Sequence, residues 1–159
     1  MDSAKRRELI EQFARGYDDL VETVMDIPKE AWDFKAAPDR WSITEIVIHI
    51  GDSEANAYVR CRAALAEPGK AIMAYDQTGW ATRLGYEKRN PDDYLELFKW
   101  LRLTTHDLIR NLPEAAWENS FDHPEHGTQT LDDWLHTYAI HVSNHIKQIS
   151  RAYEDWKRK

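Results

Sequence analysis

The sequence predicts an all-α protein, a four-helix bundle, on three observations. Four long segments repeat apolar residues at three- and four-residue spacing, the period of a helix with one buried face. With 42% hydrophobic and 31% charged residues and only 6 Gly and 6 Pro, the composition is that of a helix-rich globular chain. Nothing alternates with period two for long enough to suggest a sheet. A chain of 159 residues suits one domain, residues 1–159, built around one sizeable core.

The first helix is expected from about Ser3 to Met25, with Leu9, Ile10, Phe13, Tyr17, Leu20 and Val24 as its apolar stripe and Ile27-Pro28 as its stop. The second starts behind Ser42, an N-cap with Glu45 three residues on, the pattern in which each side chain satisfies an orphan backbone N–H of the other. Trp41 and Ile46 flank that cap at the spacing of a hydrophobic staple, and the helix runs to about Glu67 before Pro68-Gly69. The third opens at Asn90-Pro91-Asp92-Asp93, with a cap, a proline at the first helical position and acids at the positive dipole end. Its core face reads Tyr94, Leu97, Phe98, Leu101, Leu108 and Ile109. The fourth, Thr130 to Trp156, is capped by Thr130 with Asp133 three residues on. Between the second and third helices lies a long connection, roughly Lys70 to Arg89, with a short helix near Trp80. In a bundle such a connection is either a crossover or a functional lid.

The two halves echo one another. Ile27-Pro28-Lys29-Glu30-Ala31-Trp32 after the first helix matches Leu112-Pro113-Glu114-Ala115-Ala116-Trp117 after the third, and each precedes a capped helix that carries histidine. The echo reads as two helix pairs related by a pseudo-two-fold, with their second members adjacent.

Charge and composition exclude several function classes. A formal net charge of -7 argues against nucleic acid or an anionic membrane as partner, and no apolar run approaches a membrane span. The N-terminus leads into a charged helix rather than a signal peptide, and the single cysteine, Cys61, permits no intrachain disulfide; both fit a cytoplasmic location.

The chemistry lies in histidine. His141 and His145 are about 40° apart on one helical face and can meet one cation. On the same wheel Trp134 and Tyr138 lie beside them, Leu131, Val142 and Ile149 form the adjoining core stripe, and Gln148 joins the histidine edge. His136 falls on the polar side. His49 sits in one of the most apolar runs of the chain, where an unpaired imidazole is costly. One histidine from the second helix and an i, i+4 pair from the fourth make a three-nitrogen site with positions left for water or substrate. His106 is expected to face solvent or a groove; His123 and His126, flanking Pro124-Glu125, to mark a loop end rather than a weak metal contact; and Asp52, one turn from His49, to be a solvated carboxylate rather than a base or a partner of a ligand. Tyr75 and Trp80 on the long connection are placed to wall a pocket.

Trp41-Ser42-Ile43-Thr44-Glu45 through His49 to Glu54, Tyr75-Asp76-Gln77 with Trp80 and Leu84-Gly85-Tyr86, and His141 through His145 to Gln148-Ile149 together resemble the DinB-like (YfiT-like) superfamily of metal-binding four-helix bundles. The resemblance covers nearly the whole chain. It implies an antiparallel bundle with the second helix beside the fourth, metal ligands at His49, His141 and His145, and a homodimer. It also implies thiol-dependent chemistry, since members include transferases that join low-molecular-weight thiols to electrophiles and a thiol-dependent isomerase. The chain departs from the family at Asn144 and Lys147, where members often carry a further histidine and a glycine.

Three neutral imidazoles suit Zn, Ni, Fe and Cu alike, so the sequence leaves the divalent transition metal open. A metal so held lowers the pKa of a bound thiol or water. The favoured reading is a thiol-dependent transferase acting on a small-molecule electrophile, because Glu45 is committed to its cap and no obvious carboxylate base stands nearby. A metal-dependent hydrolase and a non-catalytic metal-binding module are the alternatives.

Overall fold

In the computed structural model, which describes residues 1–159, the helices form where their stripes and caps place them. They are α1 (Ser3–Met25), α2 (Ile43–Ala66), the short α3 (Gln77–Arg83) within the long connection, α4 (Pro91–Ile109) and α5 (Leu131–Lys157). The Ser42 hydroxyl accepts the Glu45 N–H at 3.2 Å while the Glu45 carboxylate accepts the Ser42 N–H at 2.8 Å. Thr130 and Asp133 repeat that exchange at the start of α5. Both site-bearing helices therefore begin at a fixed residue, which sets the rotation of everything that follows.

Connectivity around the bundle departs from a simple up-and-down order. α1 packs against α5 and α4, and α2 packs against the same two, so α1 and α2 face each other across the bundle. Helices joined by short loops normally lie side by side. Here the segments 26–42 and 110–130 are long enough to cross the bundle ends, and they bring α2 against α5.

Two expectations are corrected. Leu97 and Leu108 do not face the core; they are 41% and 39% exposed, and the buried face of α4 is Phe98, Arg102, Thr105 and Ile109. Arg102 holds a core position because Glu54 of α2 meets it at 2.6 Å, with both side chains almost wholly buried. Arg102 also donates to the Phe13 carbonyl at 2.9 Å, and its guanidinium lies 3.8 Å from the Phe13 ring centre. Gly16 makes room for it, since a Cβ there would stand 3.1 Å from Arg102 Nη1. A widely apolar helix had two candidate faces, and the ion pair selected the one that includes its partner.

The second correction is a hairpin, β1 (Ser120–His123) and β2 (Gly127–Thr130), antiparallel with Ser120 opposite Thr130 and His123 opposite Gly127. Four-residue strands reading Ser-Phe-Asp-His and Gly-Thr-Gln-Thr carry too little alternation to be seen in sequence. The pairing is completed from afar. Gly69 N–H donates to the Ser120 carbonyl at 2.8 Å, Ile72 N–H to Asp122 at 3.0 Å, and Asp122 N–H returns to Lys70 at 3.1 Å. These bonds strap the hairpin to the start of the long connection. No helix is long and apolar enough to cross a membrane.

Candidate metal centre

His49 lies two turns into α2, and His141 and His145 lie one turn apart on α5, which packs against α2. The structure brings these three together. Ring centroids are 4.5 Å apart for His141 and His145, 4.8 Å for His49 and His145, and 5.4 Å for His49 and His141. One nitrogen from each lies within 4.8 Å of the others. The Nε2 atoms of His141 and His145 approach to 3.2 Å. Two imidazole nitrogens held about 2.0–2.1 Å from one tetrahedral ion would stand about 3.4 Å apart, so the spacing suits a shared cation.

His49 states the need for one. It is 1% exposed, and both of its ring nitrogens are buried without a hydrogen-bond partner. A buried polar atom left unpaired costs on the order of 1–3 kcal/mol, and a neutral imidazole cannot avoid carrying one free lone pair. A metal ion in the cluster would use that lone pair.

Electrostatics keep the three rings neutral. Burial, reinforced by His145, pushes His49 down to about 3. Burial followed by His145, His49 and Arg102 holds His141 well below the ordinary range. Burial also lowers His145, against a hydrogen bond to the Gln148 side-chain oxygen that supports its charged form. Neutral rings are the metal-binding form. His145 Nδ1 lies 2.9 Å from the Gln148 side-chain oxygen, which selects the Nδ1–H tautomer and turns the Nε2 lone pair to the cluster. Ser53 Oγ stands 3.4 Å from His141 Nε2. The Trp41 ring packs 4.9 Å from His49 and seals that side.

The remaining candidates fall elsewhere. Glu45 serves its cap and pairs with Lys35 at 2.9 Å. Asp52 is not a solvated carboxylate: it is half-buried and accepts a 2.5 Å hydrogen bond from the Tyr86 hydroxyl. Burial raises its pKa although that hydrogen bond works against the rise. No carboxylate hydrogen-bonds to any of the three histidines. His136 is exposed and His106 half-buried. His123, expected at a loop end, closes β1 beside the hairpin loop, 8% exposed and stacked on His126 at 4.6 Å. Tyr75 and Trp80 do meet, at 4.7 Å, on the long connection. Sequence reasoning missed Ser53 and the pair Glu54 and Arg102. The one available signal was the position of Ser53 and Glu54 on the same helix just after His49.

Comparison with known proteins agrees with this architecture. A family model described as the DinB superfamily matches residues 12–149. A proposed metal-dependent hydrolase of Oceanobacillus iheyensis is 30% identical over 140 residues, 86% of this chain and 80% of the relative. YfiT of Bacillus subtilis, also a proposed metal-dependent hydrolase, is 30% identical over 111 residues, 69% of this chain and 62% of its own length. The solved structure of B. subtilis YfiT, described as a four-helix bundle of unusual topology, superposes with a TM-score of 0.90 at 23% identity, covering 99% of this chain and 90% of that one.

Proposed function

This chain belongs to the DinB superfamily, and from that membership we propose a metal-dependent hydrolase acting on a small molecule, with His49, His141 and His145 as its metal ligands. The observation that carries the proposal is the pair of orphaned nitrogens on His49, which no group of the protein satisfies. A divalent transition metal held there would lower the pKa of an oxygen or sulfur nucleophile and polarise an electrophile.

The chain's own residues do the rest. Gln148 fixes the tautomer of His145, the Ser42 and Thr130 caps set the depth of the ligands on α2 and α5, and Trp41 shields His49 from water. The Ser53 hydroxyl, 3.4 Å from His141 Nε2, is a neutral group able to orient a bound molecule.

A second reading, a thiol-dependent transferase, rests on the absence of a carboxylate at the cluster. Hydrolysis benefits from a base that handles protons, whereas a thiol with a lowered pKa is a nucleophile without one. Protein purified without an affinity tag is the material for the test. Metal content near one per chain is expected, lost in His49→Ala and kept in His136→Ala. Cleavage of esters or amides without thiol, abolished by His145→Ala, supports the hydrolase. A thiol-induced change in the spectrum of cobalt-loaded protein, with turnover that needs thiol, supports the transferase. Metal binding with neither activity would leave a binding module. We also propose a homodimer, supported by the exposed Trp100 and Leu103 of α4, and a reducing, cytoplasmic setting, supported by the buried unpaired Cys61.

A further inference from the structure

Arg60, on α2, is the outlying cation of interest. Its Nη1 donates to the Tyr138 hydroxyl at 3.0 Å and its Nη2 to the Met73 carbonyl at 2.7 Å, both uncharged oxygens. Its Nε is buried with no partner. A guanidinium has five donors and binds carboxylates through two of them at once, so this one is left without the anion its geometry suits.

Arg60 lines a cavity of about 540 Å³ together with Tyr75, Gln77, Thr78, His123 and His126. His123 contributes a donor. Its Nδ1 accepts the Glu125 backbone N–H at 3.2 Å, so a neutral ring carries its proton on Nε2. Burial, then Arg60 and His126, lowers the pKa of His123, which keeps the ring neutral and the tautomer single.

His123, Glu125 and His126 also place ligand atoms within 4.8 Å of one another, as a cation site would. Two features argue for an anion instead. The Nδ1 lone pair of His123 is already in use, and the Arg60 charge that lowers the His123 pKa would repel a divalent ion equally. The two acids at the cavity, Asp76 and Glu125, keep their charge but are both exposed, so solvent screens them more than it screens the half-buried Arg60.

None of the three clustered histidines lines this cavity; Tyr138 links the two. Tyr138, bonded to Arg60, has its ring 6.1 Å from that of His141. On the side of the cluster, Ser53 Oγ stands 3.4 Å from His141 Nε2. We propose that this cavity receives the carboxylate of the small-molecule substrate, held by Arg60 and His123 with Gln77 and Thr78 closing over it, while the reacting part of the molecule lies towards the three histidines. In a chain of net charge -7, a local donor cluster of this kind selects anionic substrates against the general field. The proposal rests on the reading of the histidine cluster as the reaction centre.

The test uses metal-free full-length protein, so that no carboxylate can bind at the histidines, and follows the Arg60 Nε–H and Trp80 indole resonances by NMR during titration with acetate and malonate. Saturable shifts at Arg60 are expected, with methylammonium chloride inert. Arg60→Met should weaken binding at least tenfold. Because that variant also cuts the bond to Tyr138, the exposed pair Gln77→Ala and Thr78→Ala is the second probe, expected to weaken binding several-fold with an unchanged spectrum elsewhere. Linear, non-saturating shifts, or binding that survives Arg60→Met, would overturn the proposal. So would a response of His123 and His126 to Co²⁺ in the His49→Ala protein with none to carboxylate. Saturable carboxylate binding by protein that never takes up metal would sink the hydrolase reading and leave the anion site standing.

Discussion

Gln148 makes the sharpest test of how single side chains tune the centre. Its oxygen lies 2.9 Å from His145 Nδ1. Partners of this kind set the tautomer and basicity of a ligand, and losing one lowers metal affinity roughly 10–100-fold. Gln148→Ala should show that loss in competition with a chelator while its melting temperature without metal stays near wild type. Equal affinity in the two proteins would remove Gln148 from the site. Acid probes the histidines together. Burial lowers the folded-state pKa of each below the ordinary 6.5, to about 3 for His49. The unfolded chain therefore binds protons that the fold refuses, so their contribution to stability is complete above about pH 6.5 and is lost as pH falls towards the folded values. The urea midpoint of metal-free protein should drop steadily below that point, and His49→Gln should flatten the slope. A midpoint unchanged between about pH 8 and about pH 5 would contradict the burial of neutral rings.

At the scale of elements, the pair Glu54 and Arg102 joins α2 to α4 inside the core, with α1 supplying the Phe13 carbonyl and ring. Removing one member leaves the other charged and buried, at a cost of about 3–5 kcal/mol, whereas an apolar replacement of both is often close to neutral. Arg102→Met should be strongly destabilised in urea, and the double variant Glu54→Leu, Arg102→Met should recover most of the loss. If the double variant is as unstable as the single, the pair contributes packing rather than compensated charge. Secondary structure here was legible because the signals are local. The caps at Ser42 and Thr130 and the stripe of α1 were readable, since each depends on residues a few positions apart. The α4 face and the hairpin were not, because Arg102 answers to a residue in another helix and β1 to the backbone of Gly69 to Ile72.

For the molecule as a whole, two apolar clusters sustain the fold without help from the histidines. One contains Phe13, Trp134 and Leu135, and the other Leu20, Trp32 and Ile46. Metal binding adds stability only by mass action, about 2.7 kcal/mol when free metal is a hundred times Kd. Chelation should thus lower the melting temperature by several degrees and leave helical circular dichroism intact at room temperature; collapse of that signal would make the metal structural. Val59 of α2 and Trp100 and Leu103 of α4 are 62%, 56% and 52% exposed, and the proposed dimer would cover side chains of this kind. Sedimentation at tens of micromolar should give a dimer, weakened by Trp100→Glu; a monomer at that concentration would rule the dimer out.

By itself the sequence determined where the long helices begin, which stripe of α5 faces inward, and that His141 and His145 share a face. Capping and helical pitch act over one or two turns, so these facts need no fold. That His49 joins that pair was an expectation from its apolar setting and from resemblance, and only packing could test it. Long crossings between α1 and α2 and between α4 and α5 bring α2 against α5, and the distance from His49 to His145 follows from that arrangement. Arg60 and His123 could not have been foreseen together. One is on a helix and the other on a short hairpin strand that a distant connection straps in place, and it takes the closed chain to make them walls of one cavity.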